Sequence, residues 1–379
     1  MKIKNILVTG GPVGAKLDAI KVITNVFRGG RMAALADMLV EKDAKVTYLT
    51  SKGSVLPSYW HEGIRKVNPF VTVIYHDGYH DYRKKVLELS PKMDAVVLGA
   101  AVCNLIPSKP WEGKFPSHLY KVGEKFDVPF EIAPRVVDEV KAVAPKTHLF
   151  AFKLLKGVSN EELIDAAYGI VMESKATAVF ANDRDNLDIK YGVTKERAIH
   201  EMDTTGVADF IVDCTNDKYY RTELHNFEEK EWGLLATSFD DCNHAHMKHL
   251  IDQYRDSFVE CGEYVFGTIA MRTPELGKNA FITTSRGKNE IENFTYVKTV
   301  RGHTVHAGPK KATLNAPLLH RIFVQNSWVN TILHFHDPYW LNYGLPQYEY
   351  APPGTVRDST RSLDGSFLIK NHGIFLLEE

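Results

Sequence analysis

The stretch from Val8 to Ala33, VTGGPVGAKLDAIKVITNVFRGGRMA, constrains this chain more than any other part of it. A short β-branched and apolar run, Ile6-Leu7-Val8-Thr9, ends in Gly10-Gly11. A polar loop follows, and an apolar-periodic segment opens at Met32. That order predicts strand, glycine turn, long loop and helix, the layout that brings backbone N–H groups against a phosphate. Two adjacent glycines let a ligand approach the main chain where a Cβ would clash.

The same alternation continues through the first half. Strands are predicted at 5–9, 45–50, 71–75, 94–99, 148–153 and 178–181, and helices at 32–42, 82–89, 133–143 and 160–174. Strands that alternate with helices imply a parallel sheet covered on both faces. Ligands then sit at the carboxyl ends of the strands, here the loops 10–30, 100–118 and 182–186. After about Asp203 the pattern changes. VADFIVDC followed by YYRTELHNFEEKEW reads as a closing hairpin and a connector. A helix starts near Ala245, with Gly262 as its stop signal. Short strands at 265–272, 280–284, 296–299, 331–335 and 365–370 surround a helix at about 314–325. The expected architecture is an α/β, Rossmann-like parallel-sheet domain over 1–229, then an α+β domain over 230–379. The boundary is placed near Lys230.

A chain of 379 residues has room for two such domains. Its hydrophobic content of 44% and charged content of 25% are those of an ordinary globular protein. The net charge of -1 provides no general attraction to nucleic acid or to an acidic membrane. Cys103, Cys214, Cys242 and Cys261 are far apart, with no CxxC pair, which argues for a reducing compartment. No apolar run reaches the ~18 residues of a membrane span. The chain enters a core strand directly after Met1, so no signal peptide is expected. Together these readings predict a cytoplasmic protein acting on small molecules, with no nucleic-acid or membrane partner.

Several ordered segments of the first half carry a family resemblance. They are Gly10-Gly11, Leu17-Asp18-Ala19-Ile20-Lys21, Ile23-Thr24-Asn25, Gly29-Gly30-Arg31-Met32 and Gly99-Ala100-Ala101-Val102. Gly113-Lys114-Phe115, Phe150-Ala151-Phe152-Lys153 and Phe180-Ala181-Asn182-Asp183 complete the set. Over roughly 4–220 the chain resembles phosphopantothenoylcysteine synthetase, the ligase of coenzyme A biosynthesis. The resemblance implies activation of a carboxylate by ATP or CTP with Mg²⁺, giving an acyl-nucleotide that an amine then displaces. It implies that Gly10 and Gly11 line the triphosphate, with Ala100 and Ala101 in the nucleotide site. Asn25 matches the asparagine that handles the acyl-nucleotide. Lys21 stands where the family has arginine, and Lys114 matches the first lysine of a mobile loop. Phe152 would border the base and Asn182 the nucleotide end. Such chemistry needs positive charge and N–H donors more than a nucleophilic side chain. The chain departs from the family at Phe27-Arg28-Gly29-Gly30, where members carry Ser-Ser-Gly, and at Asn104, where they carry aspartate.

A second constellation lies near the carboxyl end. The strand 331–335 leads into His334-Phe335-His336-Asp337-Pro338, and Lys370-Asn371-His372-Gly373 follows another strand. In a strand, residues i and i+2 share a face, about 7 Å apart at Cα, so both imidazoles can reach one cation. Three histidines with an open position suit Zn²⁺ or a similar divalent ion. With Pro352-Pro353-Gly354-Thr355 between them, these segments resemble the class II aldolase/adducin family over roughly 246–377. The resemblance implies an anion or substrate-phosphate site from Gly267, Thr268, Ser285 and Arg286, with Asn315 nearest the family's acid/base glutamate. An amide cannot exchange a proton at neutral pH, whereas a bound metal could still polarise a carbonyl. Metal affinity should fall as pH drops through the histidine range near ~6.5. The further cluster His244, His246, His249 lacks an acidic or cysteine partner and reads as a solvated helix start.

Two functional readings follow, with a third beside them. One is a bifunctional enzyme, a nucleotide-dependent carboxylate–amine ligase with an appended metal-dependent domain. The other puts the chemistry in the second half, as a metal-dependent lyase, dehydratase or epimerase of a sugar phosphate. A non-enzymatic ligand-binding protein is the third. Both resembled families imply a homo-oligomer, since their active sites lie near subunit contacts.

Overall fold

The computed structural model describes residues 3–225, 236–262, 264–287, 292–336 and 344–379. The chain forms two compact units, Met1–Asn216 and Asp217–Glu379. The sequence-based boundary near Lys230 falls outside the described residues. Residues 221–224 pair with the second unit's sheet, which places the start of that unit earlier in the chain.

The first unit is built on an eight-stranded sheet. Its strands are β1 (Asn5–Thr9), β2 (Lys45–Ser51), β3 (Val71–His76), β4 (Ala95–Leu98), β5 (His148–Leu155), β6 (Ala178–Asp183), β7 (Lys190–Thr194) and β8 (Ile199–Met202). They lie in the order β8-β7-β6-β5-β4-β1-β2-β3. Ladders from β3 to β6 are parallel, and β7 and β8 add an antiparallel hairpin at one edge. The order reverses between β1 and β4, so their loops diverge at a topological switch point.

Both faces of this sheet are covered because alternate residues are apolar on each side. Ile6, Val8, Val46, Tyr48, Val97, Phe150 and Phe180 pack under helices α1 (Gly30–Glu41) and α5 (Thr204–Asn216). The other face is covered by α2 (Tyr79–Leu89), α3 (Val136–Val143) and α4 (Asn160–Ser174). There Thr9 Oγ1 meets the Tyr82 hydroxyl at 3.2 Å. Helix α4 starts on a full capping box, with the Ser159 and Glu162 side chains each bonding the other's backbone N–H.

Residues 207–214 correct the expectation of a strand there. VADFIVDC is part of α5, and Val207, Ala208, Ile211 and Cys214 are its buried stripe. The i, i+1, i+4, i+7 spacing of apolar side chains outweighs the strand preference of Val and Ile. The closing hairpin is β7–β8, earlier in the chain.

Among the described residues, the second unit is built on a nine-stranded sheet. It comprises β9 (Arg221–Leu224), β10 (Thr268–Arg272), β11 (Phe281–Thr284), β12 (Phe294–Arg301), β13 (Thr304–Gly308), β14 (Thr331–Phe335), β15 (Gln347–Tyr348), β16 (Phe367–Ile369) and β17 (Gly373–Glu378). The order is β9-β13-β12-β11-β10-β14-β17-β16-β15. The ladders are antiparallel except at the two edges, β9–β13 and β15–β16. Helix α6 (Ala236–Gln253) packs Met247, Leu250 and Ile251 on one core, and α7 (Ala316–Gln325) packs Leu318, Leu319, Ile322 and Phe323 on the other. Gly262 is a correction too. Helix α6 ends at Gln253, and Gly262, at φ 60°, turns a small hairpin between Val259–Cys261 and Tyr264–Phe266. Among the described residues, no helix is long and apolar enough to cross a membrane.

Candidate functional site

The glycine turn sits at the switch point. Gly10 N donates to Leu49 O at 3.0 Å, fixing the chain as it leaves β1. A Cβ on Gly10 would lie 2.2 Å from the Tyr48 hydroxyl, and one on Gly29 would lie 2.5 Å from Gly11 N. The turn, the start of α1 and the loop after β4 are therefore packed backbone to backbone. Ala101 N donates to Gly11 O at 2.9 Å, and Asn25 Nδ2 donates to Ala101 O at 3.0 Å. Gly10, Gly11, Ala100, Ala101 and Asn25 thus meet at one strand end. Gly29 offers no capping side chain, so the first N–H groups of α1 open here unspent on a cap.

A second knot holds the loops that carry the lysines. Asp18 is buried, and its Oδ1 accepts from Ile20 N at 2.7 Å and Lys21 N at 2.5 Å. Its Oδ2 accepts from Phe115 N at 2.9 Å and Lys21 Nζ at 3.0 Å. The N–H groups of Lys21 and Phe115 hold this carboxyl far below the usual carboxylate range. Ala19 N also donates to Gly113 O at 2.9 Å. Lys21 and Lys114 consequently stand on two loops tied to each other, with Lys21 Nζ 5.6 Å from the centre of the Phe115 ring. Trp111, Phe115, Tyr120 and Phe126 form an aromatic cluster around it, with Phe115 and Phe126 stacked at 4.8 Å.

Phe152 and Asn182 lie on β5 and β6, beyond β4. Phe152 pairs in register with Phe180, the rings 5.2 Å apart, and Asn182 is buried. Sequence reasoning missed two cations at this end. Lys190 is buried, its Nζ donating to Leu187 O at 3.0 Å, and Arg31 reaches the same carbonyl at 3.0 Å. A helical Arg and a strand Lys carry no spacing that links them; only the tertiary fold does. A cavity of about 630 Å³ opens at the ends of β2 and β3, lined among others by Gly14, Lys16, Thr24, Lys52, His76 and Lys85. It shares the first loop with the glycine turn, and Ala100, Ala101, Phe152 and Asn182 are not among its walls.

The second unit brings the three histidines together. His334 lies at the end of β14, His336 follows it, and His372 precedes β17, the antiparallel neighbour of β14. The ring centres are 4.8, 4.8 and 4.7 Å apart for the pairs 334–336, 334–372 and 336–372. Their ligand atoms fall within 4.8 Å of one another, and His334 and His372 are buried. His334 Nδ1 bonds Ile374 O at 2.9 Å, which leaves Nε2 as the ligand atom, 3.0 Å from His336 Nε2. An oriented imidazole of this kind is what a divalent metal requires, so the residues fit Zn²⁺ or a similar ion. Asp337 and Pro338 of the same motif lie outside the described residues.

Around this centre, Thr268 is the cross-strand partner of His334, and its Oγ1 lies 3.2 Å from Thr313 Oγ1. Asn315 is buried just before α7, its side-chain oxygen without a hydrogen-bond partner. Phe266 stacks on His336 at 5.4 Å. Gly267 lies at φ 126°, where a Cβ would press into the Phe258 ring at 2.7 Å. Ser285 bridges to Ala312. Arg286 spends its guanidinium within the protein, donating to Ala312 O at 3.2 Å and Thr222 Oγ1 at 2.8 Å, and burial lowers its basicity. The histidines 244, 246 and 249 lie on α6, and His244 packs against Phe294.

The fold and loops of the first unit define a doubly wound α/β protein whose strand-end glycines face a switch point. The model of the DNA/pantothenate metabolism flavoprotein C-terminal domain matches residues 1–214, more than half of the chain, and the chain belongs to that family. It is similar to the coenzyme A biosynthesis bifunctional protein CoaBC of Thermococcus kodakarensis, 31% identical over 179 residues, 47% of this chain and 41% of that one. The chain spans about two-fifths of the length of the curated relatives it matches. Among solved structures, the DNA/pantothenate metabolism flavoprotein of Streptococcus pneumoniae is 19% identical, with a TM-score of 0.48, covering 56% of this chain and 97% of that one. An L-fuculose 1-phosphate aldolase is 16% identical, with a TM-score of 0.29, covering 37% of this chain and 75% of that one.

Proposed function

We propose that the first unit is a nucleotide-dependent carboxylate–amine ligase of the phosphopantothenate–cysteine type. The observation that carries this reading is the meeting of Gly10, Gly11, Ala101 and Asn25 at the switch point, within the family match over 1–214. The carboxylate oxygen bonds to the α-phosphorus of ATP or CTP and pyrophosphate leaves. The amine then bonds to the acyl carbon, the nucleoside monophosphate leaves and the amine loses a proton. The N–H groups at the start of α1 and the glycine turn bind the phosphates. Asn25 orients the acyl group, and Lys21 and Lys114 bring charge as their tied loops cover the site and exclude water. Mg²⁺ bound with the nucleotide would neutralise part of the phosphate charge as pyrophosphate leaves.

Mass spectrometry of products from 4′-phosphopantothenate, cysteine, Mg²⁺ and either CTP or ATP tests the proposal. A ligated product with stoichiometric pyrophosphate is expected. Lys114→Ala should cut turnover by about ten-fold or more with a smaller change in nucleotide affinity. Turnover unchanged in both Lys114→Ala and Asn25→Ala overturns the reading. A homo-oligomer is part of the proposal, supported by the exposed apolar side chains of Leu119, Val122, Phe130 and Ile132, and sedimentation at micromolar concentration reads it.

The triple-histidine centre supports a second activity in the other unit, a metal-dependent lyase, dehydratase or epimerase of an anionic sugar derivative. His334, His336 and His372 would hold Zn²⁺ or a similar ion, which when bound polarises a substrate carbonyl. Thr268 and Thr313 present hydroxyls beside the metal ligands, and the Asn315 amide oxygen offers a buried hydrogen-bond acceptor. Protein purified without chelator should carry divalent metal by elemental analysis. Less than about a tenth of an equivalent, unchanged in His336→Ala, would remove this activity from the proposal.

A further inference from the structure

We propose that Glu223, His225 and His306 form a second divalent-cation site, on the edge strand of the second unit's sheet. Strand β9 runs parallel to β13, with Glu223 directly opposite His306. His225 stands two residues beyond Glu223, on the same face, and its N–H donates to Ala307 O at 2.8 Å. The three side chains therefore emerge side by side, and their ligand atoms lie within 4.8 Å of one another. His225 Nε2 and His306 Nδ1 are 2.5 Å apart, with ring centres at 4.7 Å. Glu223 Oε2 lies 3.8 Å from His306 Nδ1, while its Oε1 faces Arg221 at 3.8 Å.

At this distance one imidazole N–H donates to the lone pair of the other ring, and a divalent cation that displaces that proton would find both nitrogens already converging on it. A carboxylate at the third corner adds the anionic ligand that such a cation favours. Two nitrogens and one carboxylate oxygen select a borderline transition ion such as Zn²⁺ or Co²⁺ over Mg²⁺ or Ca²⁺, which prefer oxygen alone. Three protein ligands leave a fourth position for water. The role follows from place. Among the described residues, strand β9 is the outermost strand at that end of the sheet, and β13 is its single neighbour there. A cation bonded to both strands staples β9 to the sheet and stabilises it by mass action. This site is separate from the triple-histidine centre, whose ligands lie on and beside β14 and β17.

The test is a Co²⁺ titration of the untagged, metal-free full chain, read by the visible absorption of four-coordinate Co²⁺ and by equilibrium dialysis. The parent should bind two equivalents, His336→Ala one, and His306→Ala one. In His336→Ala, the remaining ion should also slow amide exchange across residues 221–225. Glu223→Gln keeps the shape of the site and should weaken its affinity by about ten-fold, which protects the test if His306→Ala misfolds. Stoichiometry unchanged in His306→Ala, or affinity unchanged in Glu223→Gln, overturns the proposal and leaves a proton shared between two histidines. A folded His336→Ala variant that binds no Co²⁺ overturns it as well, and that result does not depend on the role of the triple-histidine centre.

Discussion

Asp18 is the residue on which the loops of the first unit turn. Its carboxylate collects three backbone N–H groups and the Lys21 ammonium, and one of those donors, Phe115, lies in a loop 97 residues further on. Removing the acceptor strands N–H groups that its burial has taken out of water. Asp18→Ala should therefore loosen this knot and free the loop around Phe115. Limited proteolysis checks this, with faster cleavage near residues 111–126 expected in the variant. Cleavage at the parent's rate would show that the aromatic cluster alone holds the loop. Nothing in the sequence marks Asp18 for this role, because its partners are main-chain groups. The glycines were legible where Asp18 was not. Gly10-Gly11 after a β-branched run signals a close backbone approach by composition alone, and the structure puts the Tyr48 hydroxyl where a Gly10 side chain would be.

Among elements, the parallel strands of the first unit were the most readable. Buried on both faces, they appear as short, nearly continuous apolar runs such as Ile6-Leu7-Val8 and Ala95-Val96-Val97. Helix α5 misled because Val207, Ile211 and Val212 are β-branched, and only its buried stripe shows the helical period. Strand β13 went unread, since Thr304-Val305-His306-Ala307-Gly308 is short, polar at alternate positions and defined by pairing with β12. The His-x-His segment was legible because its ligands share one strand face. Glu223, His225 and His306 were not, because the two strands that unite them are joined by no local signal. Thr313 likewise gains its place beside Thr268 only through the packing of β10 against the segment before α7.

Across the whole molecule, the buried histidines His76 and His148 of the first unit and Asp358 of the second should respond to acid with opposite sign. In the first unit, burial pushes the His76 and His148 imidazoles down to about 4. The unfolded chain takes up those protons near pH ~6.5, before the folded unit does. The stability that neutral histidines provide is complete above that pH and is lost as pH falls toward 4. In the second unit, burial pushes the Asp358 carboxyl up to about 7, against the opposing pull of Arg361. A carboxyl protonated in the folded state contributes stability that is complete below ~3.8 and is lost as pH rises through 7. Between pH 4 and 6.5, then, acidification weakens the first unit through its histidines and strengthens the second through Asp358. Each group can contribute a slope of at most ~1.4 kcal/mol per pH unit. Hydrogen exchange read peptide by peptide, with chelator present so that metal release adds nothing, separates the two responses. Asp358→Asn should flatten the dependence in residues 217–225 and 344–379 and leave the first unit's slope in place. An unchanged slope in the second unit would mean that Arg361 and Arg357 keep Asp358 ionised across this range.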